Sequence, residues 1–400
     1  MRRLRQALFS AMGLSAVGLM TTFIAAPAAH AQDVITIGAT SPITGALSSL
    51  YSVQGKLWEA WQQAQNDAGG IFVKSLNKKL PIKIVYYDDQ SDPKASVRFY
   101  ERLINVDNVN FLLAPQGSPI AFAASTVAER YKVPMIAGAV NDPAIFSRGF
   151  KYIQGVLAPA VEYSSMYFDM LHQKTKVQKV ALLVEDTLFS RGVSTSVRAA
   201  VKKYGMDLVY DQSAPTDTQD FTAIITQIKA TNPDLVYVST FPPFYIRFAK
   251  QADELGLKPA AIHCPLCSSV SVRNGLGPIS NDVTGEIYWA PGMQLGDYKM
   301  LERTLQISGL DPLQWSFALI SIPTLEVLRH GIETAGSLDR EAVYNSIQHD
   351  EIPTVMGQFK AVGNGIATIN PFPMQNQDGK VVVIWPPESK TGDYHFPRTQ

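Results

Sequence analysis

The chain has 400 residues, of which 46% are hydrophobic and 18% charged, and its formal net charge is zero. This composition is typical of a globular protein, and the length indicates two or three domains. A balanced charge without basic clusters or acidic tracts argues against nucleic-acid binding and against a disordered tail.

The N-terminal segment predicts a secretory signal peptide. Three early arginines, the apolar stretch 7–26 and the small-x-small pattern Ala29-His30-Ala31 follow one another as signal peptidase requires. We expect cleavage after Ala31, which leaves 32 basic and 35 acidic residues. A membrane anchor is the alternative because the apolar stretch is long, but its Gly, Ser and Thr content favours removal. No later segment is apolar for long enough to span a bilayer.

Strand-like and helix-like segments then alternate in two series. The first series has predicted strands at 34–38, 82–88, 111–114, 134–138 and 152–156, with helices at 55–67, 93–106 and 118–130. The second has strands at 180–185, 206–210, 235–240 and 261–265, with helices at 191–204, 221–230 and 244–254. Two such series predict an α/β protein with two parallel sheets, each covered by helices.

A third region breaks this alternation. A strand is predicted at 285–290, helices at 297–307 and 315–335, and a late strand at 381–385. A long helical insert between strands indicates that the chain crosses from one lobe to the other again.

Both cysteines lie in the segment Cys264-Pro-Leu-Cys267. In a secreted protein a single close pair can form a local disulfide. A redox-active pair usually opens a helix in a much smaller domain, and a metal site would need two more ligands where only His263 is near. We interpret the pair as structural or incidental and expect no metal site.

Motifs for catalysis are missing from the sequence. It contains no phosphate-binding loop, no G-x-G-x-x-G, no H-E-x-x-H and no G-x-S-x-G. Asp88-Asp89 and Glu185-Asp186 end predicted strands, where adjacent side chains point to opposite faces and do not share a substrate. The sequence therefore favours a binding protein over an enzyme, and we expect no cofactor.

Several segments, taken in order, resemble one family. VITIGATSPITGALSSLYSVQG, NDAGGI, YYDDQSDPKASV, LLAPQGSPIAFAAS and VPMIAGAVNDP succeed one another at fitting distances. Their order is similar to that in the periplasmic solute-binding proteins of the hydrophobic amino acid uptake transporters, the leucine/isoleucine/valine-binding protein family. The resemblance covers nearly all of the mature chain. It implies two Rossmann-like lobes, the type I periplasmic binding fold, joined by a three-segment hinge and closing on a ligand.

The resemblance also implies boundaries and partners. With the signal peptide at 1–31, the first lobe would comprise 32–157 and 290–365, and the second 158–289 and 366–400. The crossings fall near 157–158, 288–290 and 365–368. The protein would be a periplasmic monomer that binds a small organic anion and no nucleic acid. It would deliver its ligand to the transmembrane subunits of an ABC permease.

The turn Gln116-Gly117-Ser118-Pro119 is the predicted ligand anchor. Ser118 suits a helix N-cap and Pro119 the first helical turn. Ligands of open parallel sheets bind beyond the carboxyl ends of the strands, where helix N-termini offer free N–H groups. Gly117 permits close approach, and the resemblance gives Ser118 the role of holding a ligand carboxylate. Alternatively, the Ser118 hydroxyl only caps its helix. Further contacts are expected from the companion loop, Ala139, Val140 and Asn141.

Two acidic residues that the family uses for an amino-acid ammonium group are absent. Their places hold Ala160 and Leu266. Burying an ammonium group without a counter-charge is very costly. Glu162, two residues beyond Ala160, could substitute if the turn is rearranged.

Aromatic residues are frequent in the same loops. Tyr51, Phe122, Phe189 and Phe241 are candidate ligand contacts, with Phe122 the weakest because it lies on a helix. Such walls with a carboxylate anchor suit an aromatic or hydrophobic acid. Amino acids or their amides are the alternative, and a secreted enzyme using Glu185 or His263 as base is a third reading. His263 and Arg191 are possible second anchors, each better explained as structural or solvated.

Overall fold

The protein is described here from a computed structural model, which describes residues 34–291 and 293–399. The predicted signal peptide and its cleavage site lie outside these residues. Within them, none of the helices combines the length and hydrophobicity that a bilayer crossing requires.

The strands and helices predicted for the first part of the described chain are present within a few residues of the predicted ends, and four short elements that were not predicted lie between them. Its strands are β1 (Ile35–Ser41), β2 (Ile71–Val73), β3 (Lys78–Leu80), β4 (Ile82–Asp88), β5 (Phe111–Leu113), β6 (Met135–Ala137) and β7 (Ile153–Gly155). Its helices are α1 (Ser48–Tyr51), α2 (Gln54–Asp67), α3 (Pro93–Asn105), α4 (Ser118–Tyr131) and α5 (Pro143–Phe146).

The first sheet has the strand order β4-β1-β5-β6-β7, and each neighbouring pair is parallel. Strands β5, β6 and β7 are buried along their whole length, which explains the continuous apolar sequences of β5 and β6. On α2, Trp58 and Trp61 are both fully buried, as their helical spacing predicts. The strand order brings the carboxyl ends of β1, β5 and β6 side by side, so the loops after them meet at one edge.

The second part repeats the alternation. Its strands are β8 (Lys179–Glu185), β9 (Asp207–Ala214), β10 (Leu235–Ser239), β11 (Ala261–His263) and β12 (Thr284–Ile287). Its helices are α6 (Ser165–Lys174), α7 (Leu188–Lys203), α8 (Thr222–Ala230), α9 (Pro242–Glu254) and α10 (Val270–Leu276). Of these, α6 and α10 were not predicted from the sequence.

The third part consists of helices followed by two hairpins. Its elements are α11 (Tyr298–Ser308), α12 (Ser321–Ala335), α13 (Arg340–His349), β13 (Glu351–Thr354), β14 (Gly357–Lys360), β15 (Phe372–Gln377) and β16 (Lys380–Val383). Helix α11 packs on α2, and α12 packs beside β2 and β6.

The predicted single helix at 315–335 is wrong in its first third. A short 3-10 turn, Ala318–Ile320, comes first, and α12 begins only at Ser321. Pro323 explains the break, since it has no N–H and its ring clashes with the carbonyl four residues earlier in a continuous helix. In the first turn of α12 the proline is tolerated.

The second sheet has the order β16-β15-β12-β11-β10-β8-β9. From β9 to β12 the neighbours are parallel, whereas β15 pairs antiparallel with both β12 and β16. The prediction of an entirely parallel second sheet is therefore wrong at this edge. The turn Asp378-Gly379 joins β15 to β16, and both residues have the positive φ of a two-residue hairpin turn.

Two of the predicted crossings run side by side. The Ala158 N–H donates to the Ile369 carbonyl at 2.8 Å, and the Gly155 N–H donates to the Gly365 carbonyl at 2.8 Å. A third segment leaves β12 through Tyr288. These contacts fit a three-segment hinge, while the residue boundaries of the two lobes stay a prediction.

Candidate functional site

A cleft of about 330 Å³ lies where loops from both sheets meet. On the side of the first sheet it is lined by the predicted site residues Tyr51, Gly117, Ser118, Ala139 and Asn141. On the side of the second sheet it is lined by the predicted residues Phe189, Phe241 and Leu266. The structure thus brings eight of the eleven predicted site residues to one place, at the carboxyl ends of parallel strands.

The turn before α4 needs a glycine. Gly117 has φ +90°, and a Cβ there would lie 2.8 Å from Leu47 Cδ1. Gly117 is the N-cap of α4, and Ser118 is its first helical residue. The prediction that Ser118 is the N-cap is therefore wrong by one residue, because the backbone of Gly117 rather than a side chain turns the chain into the helix.

The Ser118 hydroxyl does not cap its own helix. Its oxygen accepts a hydrogen bond from the Asp142 N–H at 3.3 Å, and the side chain is 1% exposed. The hydroxyl hydrogen thus stays available as a donor, next to the positive end of the α4 dipole. The residue is placed to bind a negatively charged group.

The loops after β5 and β6 hold each other. The Gly117 N–H donates to the Ala139 carbonyl at 3.1 Å, and the Ala139 N–H donates to Gln116 Oε1 at 3.3 Å. Beside them, Asn141 Nδ2 is buried without a hydrogen-bond partner among the described residues. This amide is a second donor at the same end of the cleft.

Aromatic rings form the opposite wall in a chain of edge-to-face and tilted contacts. The Tyr163 and Phe189 centroids are 5.4 Å apart with an interplanar angle of 87°, and Phe189 and Phe241 are also 5.4 Å apart. Tyr288 continues the chain, 6.2 Å from Tyr163. Phe189 lies in the first turn of α7, and Phe241 is at the N-cap position of α9. Both rings therefore lie at helix N-termini that face the cleft.

Leu266 sits inside a disulfide loop. Cys264 and Cys267 are bonded, with their Cα atoms 5.3 Å apart, and both are fully buried. The Cys267 N–H also donates to the Cys264 carbonyl at 3.1 Å. The cysteine pair is therefore structural, and it fixes the loop that brings Leu266 to the cleft.

Among the described residues, none of those lining the cleft is charged. Glu162 is exposed and is not part of the lining. Arg191 pairs with Asp186, outside the lining. His263 is fully buried, with Nε2 2.9 Å from Glu286 and Nδ1 3.0 Å from the Thr284 hydroxyl.

The strand-end carboxylates have structural partners. Glu185 accepts hydrogen bonds from the Thr240 hydroxyl at 2.7 Å and the Phe241 N–H at 2.8 Å. Burial raises the pKa of Glu185, and these two bonds oppose the rise. Through the bond to the backbone of Phe241, Glu185 holds in place the residue whose ring lines the cleft. Asp89 is likewise buried and accepts from the Thr40 hydroxyl at 2.7 Å.

Three predicted site residues lie elsewhere. The Phe122 ring is 36% exposed and carries the Arg148 guanidinium 4.1 Å from its centroid. Val140 is fully buried in the core behind its loop, because neighbouring residues of the extended loop alternate in direction. Ala160 is also fully buried, and its N–H donates to the Asn141 carbonyl at 2.7 Å.

The lobes touch at Gly192 of α7. A Cβ at Gly192 would lie 3.0 Å from Asp142 Oδ2, on the first-sheet side, and 2.8 Å from Ala160 Cβ. The Asp142 carboxylate also caps α5 by accepting from the Ala144 N–H at 2.8 Å. Gly192 therefore permits a close approach across the cleft.

Five lining residues were missed by the sequence analysis: Leu157, Tyr163, Tyr288, Phe317 and Ile320. Leu157 and Tyr288 lie in predicted crossings between the lobes. Their place in the sequence could therefore have indicated that they line the cleft. Phe317 and Ile320 were assigned to a continuous helix, and Tyr163 lies beyond a short 3-10 turn, Ala160–Glu162. Their positions depend on turns that no motif marks.

Known proteins resemble the chain over most of its length. The family described as periplasmic binding protein matches residues 34–380. The Leu/Ile/Val-binding protein homolog 7 of Brucella abortus (strain 2308) is 24% identical over 408 residues, covering 96% of this chain and 99% of that protein.

Solved structures have the same fold. A leucine-binding protein from Thermotoga maritima superimposes with a TM-score of 0.77 at 20% identity, covering 88% of this chain and 98% of that one. An ABC transporter solute-binding protein from R. palustris, in complex with benzoate, gives a TM-score of 0.72 at 16% identity, covering 88% and 95%. These likenesses confirm the predicted type I periplasmic binding fold. With its family match spanning residues 34–380, the chain belongs to the periplasmic binding protein family.

Proposed function

We propose that this protein is the periplasmic receptor of an ABC importer and that it captures a small aromatic or hydrophobic carboxylate between its lobes. The single observation that carries the proposal is the cleft itself. It joins donors for an anion at one end to an uncharged aromatic wall at the other. The receptor would then deliver the ligand to the transmembrane subunits of the permease.

The anion end supports a carboxylate. The Ser118 hydroxyl, the N-terminus of α4 and the unpartnered Asn141 amide are all donors, and they lie on loops that are hydrogen-bonded to each other. Because these loops are held in place before the ligand arrives, little ordering is needed on binding. Charge-assisted hydrogen bonds to a carboxylate are about twice as strong as neutral ones.

The aromatic wall supports a flat apolar body without an ammonium group. Phe189, Phe241 and Tyr163 offer ring faces and edges, and the described lining contains no carboxylate. An amino-acid ammonium would lose its hydration without gaining a counter-charge. The benzoate complex of the R. palustris neighbour supports the view that this fold can hold an aromatic carboxylate.

The second candidate is a receptor for branched-chain or other amino acids or their amides. It is favoured by the names of the Brucella abortus and Thermotoga maritima relatives. In that case an acidic residue such as Glu162 would have to reach the ammonium group after a rearrangement of its turn.

Lobe closure would provide the mechanism of capture. A ligand that contacts both walls binds the closed form better and so shifts an existing open–closed equilibrium. The three-segment hinge, with two segments paired through Ala158 and Ile369, would permit this motion while keeping each lobe intact.

The test is isothermal titration calorimetry of the mature protein with benzoate, leucine and leucinamide. We expect benzoate to bind most tightly and leucine weakly, because only benzoate lacks a positive charge. Tight binding of leucine with none of benzoate would overturn the ligand class. Chromatography of benzoate after incubation with the protein should recover it unchanged, and a new product would overturn the receptor role in favour of an enzyme.

A further inference from the structure

Besides the Asn141 amide, the cleft is lined by a second buried polar group that has no hydrogen-bond partner among the described residues. Tyr288, in the chain segment that leaves β12, is 2% exposed, and its hydroxyl has no hydrogen-bond partner among the described residues. The Tyr163 hydroxyl approaches it closely enough to lower the pKa of Tyr288, but among the described residues no hydrogen bond of regular geometry joins the two hydroxyls. A buried hydroxyl left unpaired costs free energy, which a ligand group can recover.

The surroundings of this hydroxyl differ from those of the anion end. Tyr288 and Tyr163 lie on the side of the second sheet, whereas Ser118 and Asn141 follow strands of the first sheet. The two sets of polar groups therefore approach the cleft from different sheets. A ligand that satisfies both must have polar groups at two places on an otherwise apolar body.

Glu286 determines which polar group suits the Tyr288 side. It is buried behind the tyrosines, where it accepts from the Ser164 hydroxyl at 3.1 Å and lies 2.9 Å from His263 Nε2. Burial, and to a smaller extent the neighbouring Glu286 carboxyl group, raises the pKa of both Tyr288 and Tyr163. A second carboxylate placed here would lose its hydration beside a buried carboxyl group, which is unfavourable. Both Glu286 oxygens already have partners, so the residue does not offer a free acceptor to an ammonium group.

We propose that the ligand is a hydroxylated aromatic acid whose ring hydroxyl hydrogen-bonds to the Tyr288 hydroxyl while its carboxylate binds at Ser118. A hydroxyl is neutral and can either donate to or accept from a phenol, so it meets both requirements of this side of the cleft. The inference rests on the proposed function and narrows it.

The experiment compares benzoate with 2-, 3- and 4-hydroxybenzoate by calorimetry on three proteins. These are the wild type, Tyr288→Phe and a matched control, Tyr245→Phe. Tyr245 is as buried as Tyr288 and its hydroxyl is also unpartnered, but it lies outside the cleft. Both variants remove one oxygen and keep the ring, so the packing is retained.

For the wild type we expect one hydroxybenzoate isomer to bind about tenfold more tightly than benzoate. In Tyr288→Phe this preference should vanish while the affinity for benzoate stays the same, and in Tyr245→Phe it should persist. Tight benzoate binding with no preferred isomer, or a preference that survives in Tyr288→Phe, would overturn this inference alone. Failure of all four acids to bind the wild type would overturn the proposed function as well.

Discussion

Ser118 and Gly117 show how two adjacent residues have different roles in the proposed anion anchor. Gly117 turns the backbone with a φ of +90° that other residues rarely adopt, and Ser118 then starts α4 with its hydroxyl bonded to the next loop. The cap is made by the backbone, which leaves the serine hydroxyl hydrogen for a ligand. The side chain therefore has little to do with the stability of its own helix.

Replacing Ser118 by alanine should weaken benzoate binding by about one order of magnitude, since one charge-assisted hydrogen bond is lost. The free energy of unfolding should fall by only about 1 kcal/mol, because the Asp142 N–H loses its acceptor. Calorimetry and urea unfolding measure the two effects. Ser125→Ala, which removes a buried hydroxyl bonded within the same helix, is the control that should keep full affinity. Equal affinity of both variants would leave Ser118 without a ligand role.

Cleft residues could be predicted where a strand is followed, after a short loop, by the start of a helix. Ser118, Phe189 and Phe241 belong to this kind. Tyr163 and Tyr288 were not found, because their approach to the cleft depends on how the two lobes are placed. Val140 was included wrongly in the lining, since an alternating loop turns every second residue into the core.

Among the elements, α7 carries the closest approach between the lobes. Gly192→Ala adds a Cβ that would meet Ala160 Cβ at 2.8 Å and Asp142 Oδ2 at 3.0 Å. We expect weaker ligand binding, and also lower thermal stability, because the contact with the buried Ala160 lies within one lobe and costs more than the helix preference of alanine gains. Calorimetry and thermal unfolding test this. Gly275→Ala on α10 is the control, because its Cβ meets only the flexible end of Ile246. A full-affinity Gly192→Ala variant would contradict the expectation.

Helix α12 contains a buried carboxyl group with a raised pKa. Glu326 is 3% exposed, and one of its oxygens accepts from the Val355 N–H at 3.0 Å. The other oxygen has no hydrogen-bond partner in the part of the chain that the structure describes. Burial raises the pKa of Glu326 to about 7. The folded state thus holds the proton more tightly than the unfolded state does.

This raised pKa predicts a pH effect of known sign. The contribution of Glu326 to stability is present in full below its unfolded pKa and is lost as the pH rises towards 7. Between pH 5 and pH 8, we expect Glu326→Gln to gain about 2 to 3 kcal/mol of unfolding free energy relative to the wild type. Urea unfolding at both values measures it, with exposed Glu333→Gln as the control. A constant difference at both pH values would contradict the assignment.

Most strands could be predicted because parallel strands that are buried on both faces have short, continuous apolar sequences. The exceptions have physical causes. Pro323 interrupts a segment of helical spacing, and the turn Asp378-Gly379 joins two strands in a hairpin where only one late strand was predicted. Both signals are present in the sequence, but the periodicity around them was given more weight.

For the whole molecule, two alternating series of strands and helices were enough to predict two lobes and a cleft between them. Which loops meet at the cleft depends on the order of the strands in each sheet, and hydrophobic periodicity alone does not determine that order. The strand order was predicted only through the family resemblance.

Closure on a ligand predicts a change in overall size. Small-angle X-ray scattering of the mature protein should show a smaller radius of gyration with saturating benzoate than without it, because the closed form buries the aromatic wall. The Ser118→Ala variant at the same benzoate concentration should contract less. An identical radius with and without bound benzoate would contradict the closure mechanism.

The bond between Cys264 and Cys267 links the shape of the cleft to the redox state of the protein. A ring closed over so few residues restricts the unfolded chain by only about 2 kcal/mol, so its absence should leave the fold intact. It should, however, loosen the loop that carries Leu266. We expect a chain whose thiols are reduced to fold and yet bind the proposed ligand more weakly; titration with and without a reducing agent measures this. For the proposed periplasmic receptor, such a dependence would keep a chain that is still reduced in the cytoplasm from binding solute that has already been imported.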